Sequence, residues 1–197
     1  TIAGGKGYDG YVQFGRAGIP NYWAYADRFV LMDRFFSSTY GPTFPEHLYT
    51  VAADSGGIMD NKAQREQRPG HYCDDPGAFT PAFPRDLSEA DLARITDLEN
   101  RIVDDSPHAL ERIAAYLREV RACLDLPTLP AALSDAGVSW RFYSDPVFPI
   151  GDIMRAIRPI RETALWDNVV PSASFLDDIS DGTLAQVSWV NPPAPYN

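Results

Sequence analysis

The stretch Val30-Leu31-Met32-Asp33-Arg34-Phe35-Phe36-Ser37-Ser38-Thr39-Tyr40-Gly41-Pro42-Thr43-Phe44-Pro45-Glu46-His47 decides the fold. Val30 to Phe36 is apolar and aromatic enough for a buried strand. Ser37 to Pro42 is rich in turn formers. Phe44 to Ala53 then reads as a helix with Thr43 at its N-cap, and Ser55-Gly56-Gly57 stops it. A strand running through a tight turn into a helix is a building unit of α/β layers.

Towards the N-terminus, residues 1–20 are Gly-rich and read as loop with a short helix or strand. Ile19-Pro20-Asn21 opens a helix over Tyr22 to Phe29, with proline in the first turn. Towards the C-terminus, residues 60–86 are polar, contain Pro and Gly, and read mostly as loop. Ser88-Glu89-Ala90-Asp91 has the form of a capping box. Leu92, Ile95, Leu98 and Ile102 recur at helical spacing, Ser106 caps and Pro107 interrupts, and Leu110, Ile113, Ala114 and Leu117 continue a second amphipathic helix. Ser88 to Val120 is therefore expected to be a surface helical hairpin with solvated charged faces.

Leu126 to Ala136 reads as a further helix, stopped by Gly137. Val138–Phe142 and Leu184–Val190 read as strands, Ile153 to Ile160 as a short helix or turn. Phe175 to Gly182 reads as a short helix and turn carrying Asp177, Asp178 and Asp181. Strands alternating with helices give an α/β class with a mainly parallel sheet. Three clear strands are few for a sheet covered on both faces, so the chain is expected to be part of a larger domain.

The 197 residues carry 17 basic against 27 acidic side chains, a net charge of −10. Such a surface repels nucleic-acid backbones and anionic headgroups over most of its area, and no basic patch offsets it. No run approaches the ~20 apolar residues of a membrane-spanning helix. Thr1 to Gly10 has no signal-peptide core. Cys73 and Cys123 belong to no CxxC pair, which argues against a cysteine zinc site. They fit one disulfide or two buried thiols.

At a helix N-terminus Thr43 would meet free N–H groups, which attract anions and phosphate especially. A metal or base would make its hydroxyl a phosphoryl-accepting nucleophile; the plainer alternative is an ordinary cap. His47 lies one helical turn on and can face the same site. His71 and His108 are scattered, without metal-ligand spacing. His108 reads as solvated. His71 and Asp74 fit either a metal or a loop-capping role, the latter favoured. Asp177, Asp178 and Asp181 fit a hard-cation site or, better, a solvated turn.

Several segments in order resemble one family. They are Gly5-Lys6-x-x-Asp9-Gly10-Tyr11-Val12, Ile19-Pro20-Asn21-Tyr22-Trp23-Ala24-Tyr25-Ala26-Asp27-Arg28-Phe29 and Asp33-Arg34-Phe35-Phe36-Ser37-Ser38. Gly41-Pro42-Thr43-Phe44-Pro45-x-His47-Leu48-Tyr49, Gly137-Val138-Ser139-Trp140-Arg141-x-Tyr143 and Val187-Ser188-Trp189-Val190 follow. Together they resemble the bacterial phosphoesterase family of phospholipases C and acid phosphatases. The resemblance implies an alkaline-phosphatase-like α/β fold with a mainly parallel sheet, incomplete at both ends. Residues 1–197 would form part of a single phosphoesterase domain, with residues 87–120 as a helical insertion.

The same resemblance implies a metal-dependent phosphoesterase in which Thr43 is both nucleophile and metal-contacting group, passing through a phosphothreonine. The cofactor would be a divalent metal ion, and the substrate a phosphate ester or phospholipid. His47 and Glu46 would bind substrate, although the family usually has Asn at the position of Glu46. Further metal ligands would lie in segments before Thr1 and after Asn197, so other segments of the parent protein are expected partners. A Cys73–Cys123 disulfide and a secreted or periplasmic location are implied as well. The alternative is a non-catalytic fragment or relative that keeps the fold with an incomplete site and acts as a binding or structural module.

Overall fold

The computed structural model describes residues 14–38, 42–61, 72–101, 106–145 and 153–191. The chain divides into two compact units, one ending at Ser37 and the other beginning at Ser38.

In the first unit, helix α1 (Pro20–Arg28) starts on proline and closes with the Phe29 N–H donating to the Tyr25 carbonyl at 2.8 Å. Arg16 pairs with Asp27 and lies over the Trp23 ring, 4.8 Å from its centroid. The Val30–Phe36 stretch corrects the sequence reading. It is neither strand nor helix, and its large apolar side chains are exposed, Phe36 at 81%. Apolar composition signals a demand for burial, but a strand also needs a partner for its backbone groups. Among the described residues of this unit no second extended segment supplies one.

The second unit is built around helix α2 (Thr43–Ala52). Its Phe44, Leu48 and Val51 recur at helical spacing and are fully buried. Burying each such side chain is worth about 1.5–3 kcal/mol. They join a core with Ile58, Tyr72, Leu126, Trp140, Ile153 and Ile157. The helix ends on Ala53 in the left-handed region (φ 51°), and Gly57 follows at φ 79°. A Cβ at Gly57 would lie 2.5 Å from the Phe83 carbonyl oxygen, so only glycine fits this crossing.

Strand β1 (Phe79–Ala82) pairs antiparallel with β2 (Arg118–Arg121), Thr80 opposite Val120. Both lie in stretches the sequence reading assigned to loop and helical hairpin. Pro81 is tolerated because the ladder has only two strands. Between them stand α3 (Glu89–Asn100) and α4 (Ser106–Ala114), which pack on each other. Ile95, Leu98, Ala109 and Ile113 are buried there. The expected capping box is present: the Asp91 N–H donates to Ser88 Oγ at 3.1 Å, and the Ser88 N–H to Asp91 Oδ2 at 3.3 Å. Helix α4 stops at Ala114, short of the expected Leu117.

Helix α5 (Leu129–Asp135) leads into β3 (Trp140–Tyr143). A single helical turn, α6 (Arg158–Arg161), precedes β4 (Val169–Val170), and α7 (Ser174–Ser180) precedes β5 (Val187–Val190). The order β4-β3-β5 is parallel throughout, with Phe142 opposite both Val169 and Trp189. The class is α/β, and two of the three expected strands form adjacent members of one parallel sheet. Trp140 and Phe142 face the main core from one side of β3. Arg141 and Tyr143 point to the other side, towards α7.

Candidate functional site

Pro42, in extended conformation, is the N-cap of α2, so Thr43 is the first helical residue rather than the cap. Four N–H positions at a helix start have no partner within the helix. Pro42 and Pro45 have no N–H, and the Phe44 N–H donates to Asn61 Oδ1 at 2.9 Å. Among the described residues only the Thr43 N–H of the four is left without an acceptor. The helix start is therefore a weaker anion cradle than the sequence reading expected. The Thr43 side chain is exposed, and among the described residues no hydrogen bond engages its hydroxyl.

Asn61, which sequence reading passed over, takes the capping role instead. It is placed by strand β1: the fully buried Thr80 hydroxyl donates to the Asp60 carbonyl at 2.8 Å. A side-chain cap of this kind is worth about 1 kcal/mol.

His47 is half-buried on the next turn, with Nδ1 2.8 Å from the Thr43 carbonyl oxygen. Facing a carbonyl, Nδ1 is the donor of this contact, and Nε2 is left outside it. Glu46 is half-buried one position earlier in the first turn. The local spacing thus brings Thr43, Glu46 and His47 to one helix start.

Phe44, beside Thr43, packs on Tyr72 with ring centroids 4.9 Å apart. Tyr72 has φ 57°, a left-handed backbone in a bulky residue, which costs about 1–3 kcal/mol and persists only where the surroundings over-determine it. Tyr72 opens the short helical turn Tyr72–Asp74. Cys73 forms a disulfide with Cys123, settling the two readings of the cysteines, with Cα atoms 4.6 Å apart. Asp74 accepts from Arg155 Nη1 at 2.9 Å and Arg161 Nη2 at 2.7 Å. Both guanidiniums lie against the Trp166 ring, at 5.1 and 4.5 Å. Asp74 is thus an ion-pair centre, not a loop cap. His71 lies outside the described residues, and His108 is exposed.

Asp178 corrects the expectation of a solvated acidic turn. It is buried, and it accepts from Arg141, from the Tyr143 hydroxyl at 2.6 Å and from the Thr183 hydroxyl at 2.9 Å. The Arg141 hydrogen bond, then that of Tyr143, holds its carboxyl at about 2. Burial, then the Asp178 hydrogen bond, pushes the Tyr143 hydroxyl up. Since an unfolded Asp titrates near ~3.9, this network stabilises the fold fully above about pH 4. That contribution is lost as pH falls from about 4 towards 2. Thermal melts of the parent and Asp178→Asn should therefore differ by several degrees at neutral pH and converge on acidification. Equal melting temperatures at neutral pH would contradict this assignment.

Among the described residues no three His, Cys, Asp or Glu side chains gather as a metal site, so these residues alone do not fit a bound divalent ion. Thr43 offers one oxygen. Among the same residues no helix is long and apolar enough to cross a membrane. A model of the phosphoesterase family matches residues 10–197, a span that includes α2 and every strand. With nearly the whole sequence matched, the chain belongs to the phosphoesterase family.

Proposed function

We propose that this chain takes part in hydrolysis of phosphate esters, of the phospholipase C or acid phosphatase type, with Thr43 as nucleophile. The observation that carries the proposal is the state of the Thr43 hydroxyl. It is exposed at the first residue of a buried helix, while Asn61 performs the capping that would otherwise engage it. A hydroxyl released from structural duty at a fixed position suits attack on phosphorus.

In the proposed reaction Thr43 Oγ forms a bond to phosphorus as the bond to the ester oxygen breaks. The alcohol departs with a proton, and water then cleaves the phosphothreonine. His47, with Nε2 available on the same turn, and Glu46 serve as substrate-binding groups. The single free backbone N–H is too little to balance a phosphoryl charge, so further positive charge is required. The family is generally metal-dependent, which matches that need. No ligand set is assigned to the ion, and no step is routed through it. The disulfide supports an oxidising location, secreted or periplasmic.

The test is hydrolysis of p-nitrophenyl phosphate and of phosphatidylcholine, with divalent ions added singly and then chelated. We expect turnover of at least one substrate that a chelator abolishes and the ion restores. No turnover of either substrate with any ion would overturn the proposal and favour a binding or structural module.

A further inference from the structure

Three features converge on the short turn Tyr72–Asp74. Its first residue holds a left-handed backbone without being glycine. Its second is covalently tied to Cys123. Its third is gripped by two arginines that themselves lie on Trp166. The consequence appears on the other side of the turn, where the nearly buried Tyr72 ring packs on the fully buried Phe44. Phe44 directly follows Thr43, and its N–H is held by Asn61. The first turn of α2 is thus fixed from two directions, by Asn61 at the backbone and by Tyr72 at the side chain.

We infer that Tyr72 and Asp74 are positioning residues for Thr43, with the Arg155–Asp74–Arg161 clamp holding the Tyr72 ring against Phe44 and so fixing the start of α2. Asp74 acts through Tyr72 and touches no substrate. Cutting the clamp frees the turn to relax from its left-handed backbone, and the ring then no longer sets the helix start. The role concerns turnover only under the reading of Thr43 given above, while the mechanical claim stands apart from it.

The test is hydrogen exchange measured on peptides of the full chain. Tyr72→Ala should speed exchange across Thr43–Ala52 by about tenfold, and Asp74→Asn should do so by a smaller factor, with β3 and β5 unchanged. Tyr72→Phe keeps the ring on Phe44 and should accelerate exchange over α2 less than Tyr72→Ala does. Where turnover is measurable, kcat should fall in Tyr72→Ala and Asp74→Asn at constant KM. Unchanged exchange over α2 in both variants would overturn the inference. Equal acceleration over α2, β3 and β5 would also overturn it, since that marks general destabilisation. If Tyr72→Ala does not fold, Asp74→Asn decides by the same criterion. Failure of the Thr43 reading would show as absent turnover in the parent and would leave the exchange result intact.

Discussion

Thr43→Ala should lower phosphoester turnover by about a thousandfold or more while leaving the fold unchanged. The chemical half follows from the role proposed for Thr43: without Oγ no phosphoryl-enzyme bond forms. The structural half follows from the capping arrangement. Since Pro42 is the cap and Asn61 serves the Phe44 N–H, the Thr43 hydroxyl makes no hydrogen bond among the described residues that the change would remove. Thr43→Ser should retain part of the activity, because it keeps the hydroxyl and changes only its freedom of rotation. Steady-state rates and thermal melts on the three proteins check both halves. Full activity in Thr43→Ala would remove Thr43 from the reaction. A large drop in melting temperature would mean that the hydroxyl has a structural duty.

The second large effect is on stability. Cys73 and Cys123 stand 50 positions apart. Opening a loop of that size should cost about 4 kcal/mol in the chain-entropy model, or roughly 8–16 °C in melting temperature for a chain of this length. The closed loop contains β1, α3, α4 and β2, so the bond ties off the base of the helical pair. Urea titration of the double serine variant, or of the parent with a thiol reductant, measures the loss. An unchanged midpoint would show that β1–β2 pairing and the Asp74 ion pairs hold this base alone.

What could be read in the sequence was local. The Ser88 capping box, the alternation of Val138–Phe142 and the Ser55-Gly56-Gly57 stop after the Phe44–Ala53 helix all act within a few residues, and they appear in the structure. The α/β class followed from them. What escaped was decided at a distance. Strand β2, Arg-Glu-Val-Arg, has too little apolar character to announce itself, and its pairing with β1 depends on a partner far along the chain. Val30–Phe36 has the composition of a strand but no strand to pair with among the described residues of its unit. At the candidate site, His47 was visible because helical spacing groups it with Thr43, while Glu46 and the role of Thr43 came from the family resemblance. Asn61 was not, since a side chain capping a helix 17 positions away leaves no local pattern. The grip of Arg155 on Asp74, across 81 positions, is equally silent in the sequence. Asp178 reads as one of three surface acids until Arg141 and Tyr143 are seen beside it on β3.

Thr43 is proposed to carry the phosphoryl group during turnover. Quenching the chain in acid during hydrolysis of a phosphate monoester such as p-nitrophenyl phosphate, then mapping its peptides by mass spectrometry, reads the group on Thr43. The mass of one phosphoryl group is expected at Thr43, absent before substrate is supplied and absent in Thr43→Ala. A phosphoryl group on a different residue, with Thr43 unmodified during turnover, would contradict it.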